Sequence, residues 1–303
     1  MPSPKERATR VVRRLRKRFP LLDHLLAMLE HYGRVKGSTH AGAVTYYGFL
    51  SFFPILALAF FVVGYVARVY PQAHDELITA LDRLLPGLIG SGPGQIGLSV
   101  FERYAGTVGL VGLVGVLYSG LGWLSGMRTA LGALFDRPKR EQPNLVMGKV
   151  RDVVALVLIG LILVVSVVLS GAVDRFNARV LDWLGLDRSG TVLTVVLWLL
   201  GHACGVVAST LLLVAMFRLL ASPHLSALSL WRGALVGAVA FEVLKAVATL
   251  LIAHTQDQPA FQAFGVSLVL LIWINYFSRL VLYGAAWAYT SEPRSTNPSA
   301  GRE

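Results

Sequence analysis

Residues 41–67 read AGAVTYYGFLSFFPILALAFFVVGYVA, a run of 27 without one formal charge. A hydrocarbon core about 30 Å thick is crossed by roughly 20 largely apolar residues in a helix, so this stretch fits a bilayer and not the surface of a soluble protein. The same pattern returns at 104–127, 153–173 and 189–217, again without charge. It returns at 233–253 with Glu242 and Lys245 inside it, and at 258–290 with Arg279 inside it. With 55% hydrophobic residues, 15% charged residues and a mean hydropathy of +0.62, the 303-residue chain departs from soluble composition throughout. The expected fold class is all-α: a polytopic membrane bundle of six transmembrane helices, with spans near 43–68, 105–127, 152–174, 191–217, 231–253 and 264–289. Residues 41–290 form that domain, and 291–303 form a short cytoplasmic tail expected to be disordered.

Orientation follows from where Lys and Arg gather, since positive residues beside spans stay on the cytoplasmic side. Residues 1–40 carry ten of them and 128–151 carry six, whereas 68–103 and 174–188 carry three each. Over all connections the count is 20 inside against 6 outside, which places both termini in the cytoplasm. The net charge of +11 is concentrated in the run from Lys5 to Arg18, so it predicts contact with anionic headgroups and not with nucleic acid. Behind that run Leu22, Leu25, Leu26 and Leu29 fall on one helical face, as in an interfacial amphipathic helix. Residues 75–85, with Ile78, Leu81 and Leu85 on one stripe, read as a second amphipathic helix on the outer face. No cleavable signal segment is expected, and the first span serves as an uncleaved anchor. Cys204 reads as a small buried hydrophobe.

Charges at mid-bilayer cost about 2.5–3.5 kcal/mol each and so find partners or water-filled cavities. Glu242 and Arg279 each lie about 16 Å from the inner boundary by helix rise, and Lys245 and Asn275 are level with one another at about 21–22 Å from it. The expected cluster is therefore Glu242, Lys245, Asn275 and Arg279, with an ion pair from Glu242 to Arg279 and a secondary i,i+3 contact from Glu242 to Lys245. It reads either as a structural staple between the last two helices or as a substrate, ion or proton site. Accessory candidates are His202 in the fourth span, as a proton relay or a simple interhelical hydrogen bond, and Tyr46, Tyr47, Ser51 and Pro54 in the first. Pro54 removes the hydrogen bond to the Leu50 carbonyl and is expected to kink its helix. Seven glycines crowd 106–126, and Gly122 with Gly126 makes a small-xxx-small pair suited to close helix packing, or to a hinge. The seven histidines make no HExxH or related set, and GxSxG and CxxC are absent. No catalytic residue, metal or cofactor is expected, and the chain is not expected to be an enzyme.

The opening of the first span, His40 through Tyr46, Tyr47, Leu50 and Ser51 to Pro54, resembles the YihY/BrkB family of bacterial inner-membrane proteins, often labelled ribonuclease BN. Leu117-Tyr118-Ser119 leading to Met127-Arg128-Thr129, Trp231-Arg232-Gly233, and Phe241-Glu242-Val243-Leu244-Lys245 are similar to its second and fifth helices. Trp273-Ile274-Asn275-Tyr276 and Tyr283-Gly284-Ala285-Ala286 are similar to its last, with Ala286 standing where the family commonly has Glu. The likeness runs from about residue 25 to 290 and implies a multi-pass protein of the bacterial cytoplasmic membrane. Transport of an unidentified small solute, ion or lipid, in a permease- or exporter-like manner, is the leading functional expectation. The alternative is a non-transporting scaffold for envelope integrity or stress resistance, and a ribonuclease comes last. Expected partners are membrane lipids, with anionic headgroups at the basic tail, and a small solute or ion, with a homo-oligomer left open and no nucleic acid.

Overall fold

A computed structural model describes residues 19–66, 72–84, 114–137, 147, 148, 150, 152–155, 157, 158, 191–255 and 259–292. Seven helices longer than two turns are described: α1 (Pro20–Arg34), α2 (Gly37–Val66), α3 (Ala73–Leu84), α4 (Leu121–Leu134), α5 (Thr191–Met216), α6 (Ala227–Thr255) and α7 (Pro259–Ser291). A π turn, Val116–Gly120, leads into α4, and another, Phe217–Ala221, prolongs α5. No strand occurs among the described residues. The expected spans over 104–113 and 159–174, and the basic run before Phe19, lie outside the described residues.

Lengths of 30, 29 and 33 residues for α2, α6 and α7 correspond to about 43–50 Å of helix. Helices this long and this evenly apolar need a nonpolar surround, since an aqueous face would be marked by polar residues on one side. Gly201–Ala221, Ala227–Ala248 and Ser267–Ser291 are each long and apolar enough to cross a membrane. Helix α3 covers 75–84 of the stretch read as an amphipathic helix, and Leu85 lies outside the described residues.

Helix α1 starts with Pro20 in its first turn, where a missing N–H costs nothing, and carries Asp23 early and His31 and Arg34 late, in accord with the helix dipole. The chain then reverses through Lys36 at φ 55° into Gly37. A Cβ on Gly37 would lie 2.3 Å from the Tyr32 ring, so only glycine lets Tyr32 fold over the start of α2. The core is built from Val44 of α2, Leu124, Met127 and Leu131 of α4, Phe217 and Leu220 after α5, and Leu282 and Ala285 of α7.

Helices α6 and α7 form the closest pair. A Cβ on Gly233 would stand 2.4 Å from the Gly284 carbonyl oxygen and 2.5 Å from the Ala288 Cβ, and one on Gly284 would stand 2.8 Å from the Gly233 oxygen. Backbone therefore meets backbone, the packing mode that small residues four apart permit in lipid. The Gly122 and Gly126 pair picked out in the sequence takes a side chain instead: the Tyr47 ring lies across both, at 3.1 and 3.4 Å from where their Cβ atoms would be. Cys204, expected to be buried, is exposed on α5. The turn from Gly201 to Cys204 is exposed.

Candidate intramembrane site

Level positions on neighbouring helices do not suffice to make an ion pair, because azimuth also counts. Phe241 of α6 faces α7, with ring centroids 5.3 Å from Phe277 and 6.1 Å from Trp273. One residue further is a turn of about 100°, which carries Glu242 round toward α5. There its Oε1 lies 2.8 Å from where a Cβ of Gly205 would be, so the carboxylate abuts bare backbone. Arg279 stands two residues past Phe277 and is carried to the opposite flank of α7, toward α2. The expected Glu242–Arg279 pair is accordingly replaced by two local ones.

In the first, Lys245 Nζ lies 2.6 Å from Glu242 Oε1, with side chains 18% and 12% exposed. The ammonium meets that oxygen as a charge contact and not as an aligned hydrogen bond. Lys245 Nζ also lies 5.3 Å from the Phe241 ring centroid, within cation–π range. In the second, Arg279 Nε donates to Asn275 Oδ1 at 2.9 Å, Asn275 Nδ2 donates to Thr45 Oγ1 at 3.1 Å, and Thr45 Oγ1 donates to the Ala41 carbonyl at 2.7 Å. This relay ties α7 to α2. Thr45 is its one member that the sequence reading passed over; a hydroxyl four residues from its own acceptor carbonyl gives little outward sign of a second partner.

The accessory candidates separate. Ser51 Oγ donates to the Tyr47 carbonyl at 2.7 Å, one turn before Pro54, which stays inside α2 and packs its ring 3.2 Å from where a Cβ of Gly115 would be. Tyr46 is 60% exposed, and Tyr47, though 41% exposed, seats its ring on the glycine pair of α4. His202 lies on the exposed face of α5, one turn before Gly205.

A buried charge pair escaped the sequence reading. Asp152 is fully buried, and Arg128 meets it in a fork, Nε to Oδ1 at 3.0 Å and Nη2 to Oδ2 at 3.2 Å. Ser125 Oγ donates to Oδ2 at 2.6 Å. The available signal was an acidic residue as the first position of a span on the positively charged side, facing an arginine at the end of the preceding one.

The same end of the bundle is stitched by α1. His31 Nε2 lies 2.7 Å from the Leu134 carbonyl and Nδ1 lies 2.7 Å from Arg34 Nη2. Since a carbonyl only accepts and a guanidinium only donates, the proton sits on Nε2 and the ring is neutral. It stacks on Tyr289 at 4.3 Å, and Tyr289 donates to Asp136. Burial and the Arg34 charge lower the His31 pKa below 6.5, against the Leu134 bond and Asp136. Burial raises the Tyr32 pKa, opposed by the Ser38 hydroxyl and the Arg279 charge. Arg137 donates to the Ala221 carbonyl across α4 and the π turn after α5. At the start of α6, Ser226 donates its N–H and hydroxyl to Glu292, and its oxygen accepts the Ser229 N–H at 3.3 Å. Slight burial pushes the Glu292 carboxyl up, and the Ser229 and Ser226 donors more than offset it, so its pKa is lowered.

The sequence profile of the family described as Virulence factor BrkB matches residues 28–303. The chain belongs to that BrkB family. Inner membrane protein YhjD of Escherichia coli K12 is 29% identical over 286 residues, covering 91% of this chain and 83% of the relative. An uncharacterized protein of Dickeya dadantii is 28% identical over 282 residues, covering 91% and 85%. No solved structure matches. Apolar helices of membrane-crossing length, in a chain similar along most of its length to an inner-membrane protein, make this BrkB-family member a membrane protein.

Proposed function

We propose that the protein is a multi-pass permease- or exporter-like carrier of a small solute, ion or lipid in the bacterial cytoplasmic membrane, with six spans and both termini inside. The observation that carries this reading is the Glu242–Lys245 pair: two opposite charges in a helix of membrane-crossing length, partly exposed and held against the bare backbone of Gly205. Such a pair is expensive in lipid, and it opens or re-pairs when an ion or charged solute supplies the missing partner. The Arg128–Asp152 fork, buried at the cytoplasmic end, has the build of a contact between helices at that end. Among the described residues no group of His, Cys, Asp and Glu is placed to hold a metal ion, so nothing there adds support to the ribonuclease reading.

The test uses the full chain in liposomes loaded with a panel of inorganic ions and organic anions. Protein-dependent flux of at least one of them is expected, with a drop of about tenfold or more in Glu242→Gln, the loss of one charged partner. Absence of flux above empty liposomes, or flux untouched by that change, rejects the carrier. A scaffold is the second reading, favoured by the backbone contact of Gly233 with Gly284, which holds the last two helices together.

A further inference from the structure

Thr45 and Asn275 fix the register of α2 against antiparallel α7, and Tyr32 over Gly37 meets Tyr283 at 4.4 Å between ring centroids at the end of the same seam. Between these two rungs Arg279 springs from α7 at the level of Ala41 and Gly42 on α2. Ala41 is fully buried, whereas Gly42 is exposed, with nothing within 4 Å of where its Cβ would be. Arg279 spends only Nε, on Asn275; among the described residues its two terminal nitrogens have no partner, and neither is sealed from the surface. A guanidinium presents five donors in a planar fork, and among the described residues no carboxylate pairs with it. Closing the end of the slot is the Tyr32 hydroxyl, in a side chain only 5% exposed, buried without an aligned hydrogen-bond partner. The Ser38 and Tyr283 hydroxyls lie beside it, and the Arg279 charge acts on it.

We infer that the α2–α7 seam is a binding slot for a phosphate-class oxyanion, gripped by the terminal nitrogens of Arg279, seated over Gly42 and closed by Tyr32. Two terminal nitrogens without a partner among the described residues match two oxygens of one phosphate, and the open space over Gly42, on the turn of α2 level with Arg279, leaves room for the group. The Tyr32 hydroxyl, which makes no aligned hydrogen bond where it lies beside Ser38 and Tyr283, completes the set when it turns to the anion. The source is either a membrane phospholipid reaching in laterally or a dissolved anion entering from the end of the bundle. The slot is distinct from the Glu242–Lys245 pair, and binding at it is read without any flux, so it stands whether or not the protein transports.

The experiment compares the wild-type chain with Arg279→Gln, Arg279→Lys and Gly42→Leu, each in phosphatidylcholine nanodiscs and each checked for an unchanged melting temperature. One arm adds phosphatidylglycerol and counts retained lipids by native mass spectrometry; the other titrates inorganic phosphate by phosphorus NMR. Wild type retains phosphatidylglycerol or binds phosphate saturably, and whichever arm responds names the source. Arg279→Gln lowers that affinity about tenfold, Arg279→Lys lowers it less, and Gly42→Leu abolishes it with the charge in place. Gly42→Leu adds to a surface with open space around it, so it keeps the test alive if an arginine variant fails to fold. Retention by the basic N-terminal run is common to all four proteins and cancels. Equal binding by wild type and Gly42→Leu, or saturable binding in neither arm, overturns the inference.

Discussion

Replacing Gly233 by alanine adds one methyl group at the tightest point of the bundle. It would stand 2.4 Å from the Gly284 carbonyl oxygen, 2.5 Å from the Ala288 Cβ and 2.8 Å from the Ala288 nitrogen, where ordinary contact begins at 3.4 Å. Two of these three atoms are backbone, so no rotamer change relieves the overlap, and α6 and α7 must part by about 1 Å at this crossing. A radial gap of about 0.5–1 Å forfeits a quarter to a half of the dispersion energy of the atoms on both sides. The expected loss is about 2–3 kcal/mol, the upper part of the range for overpacking in a well-packed core. Gly237→Ala, one turn away, is the internal control. Its added methyl meets the Leu213 Cδ1 at 2.9 Å, the far end of a flexible side chain, and the nearest backbone atoms lie at 3.6 and 3.7 Å. It should cost less than about 1 kcal/mol after Leu213 changes rotamer. Both are read by reversible unfolding of the whole chain in mixed micelles. A Gly233→Ala protein within about 0.5 kcal/mol of wild type, the spread of an ordinary surface substitution, would refute backbone contact as what joins these helices.

Other perturbations test the remaining contacts. Asp152→Ala strands Arg128 beside a buried gap and should destabilise by about 3–5 kcal/mol, with much of the loss recovered in Arg128→Met/Asp152→Ala; equal stability of the single and double variants by micellar unfolding argues against the fork. His31 has a pKa below 6.5 in the folded protein, so above pH 6.5 it adds nothing to the pH dependence. As pH falls below 6.5 the unfolded chain takes up a proton that the folded one refuses, and stability declines until the native pKa is reached; His31→Gln should flatten the melting temperature between pH 7 and 5. Ser226→Ala removes the oxygen that accepts the Ser229 N–H and should cost about 1 kcal/mol, read as earlier amide exchange in the first turn of α6.

The class of fold is legible in the sequence because lipid imposes a one-sided rule on it: about 20 apolar residues per crossing, whatever the packing. The run from Ala41 onward, and the amphipathic stripe of Ile78 and Leu81, obey rules that act within one helix. Depth obeys such a rule as well, and Glu242 and Arg279 are level by counting. Azimuth is different, because it depends on which neighbour each helix leans against, and Phe241 and Phe277 settle that by meeting one another. Once they do, the two charges point to opposite flanks, and the pair expected from depth alone is lost. Gly233 and Gly284 illustrate the same limit, since each is unremarkable in its own helix and gains meaning only from the other. Asp152 hides at a span boundary, where an acidic residue ordinarily faces water.

Because Gly233 and Gly284 touch through their main chains, α6 and α7 lack the cushion of side chains along which helices ordinarily slide. A shift of either by a fraction of a turn would drive a carbonyl into its neighbour, so the two travel as a single rigid hairpin. Any rearrangement within the bundle must then be taken up at its looser seams, where Tyr47 rides over the glycines of α4 and where Gly205 faces Glu242.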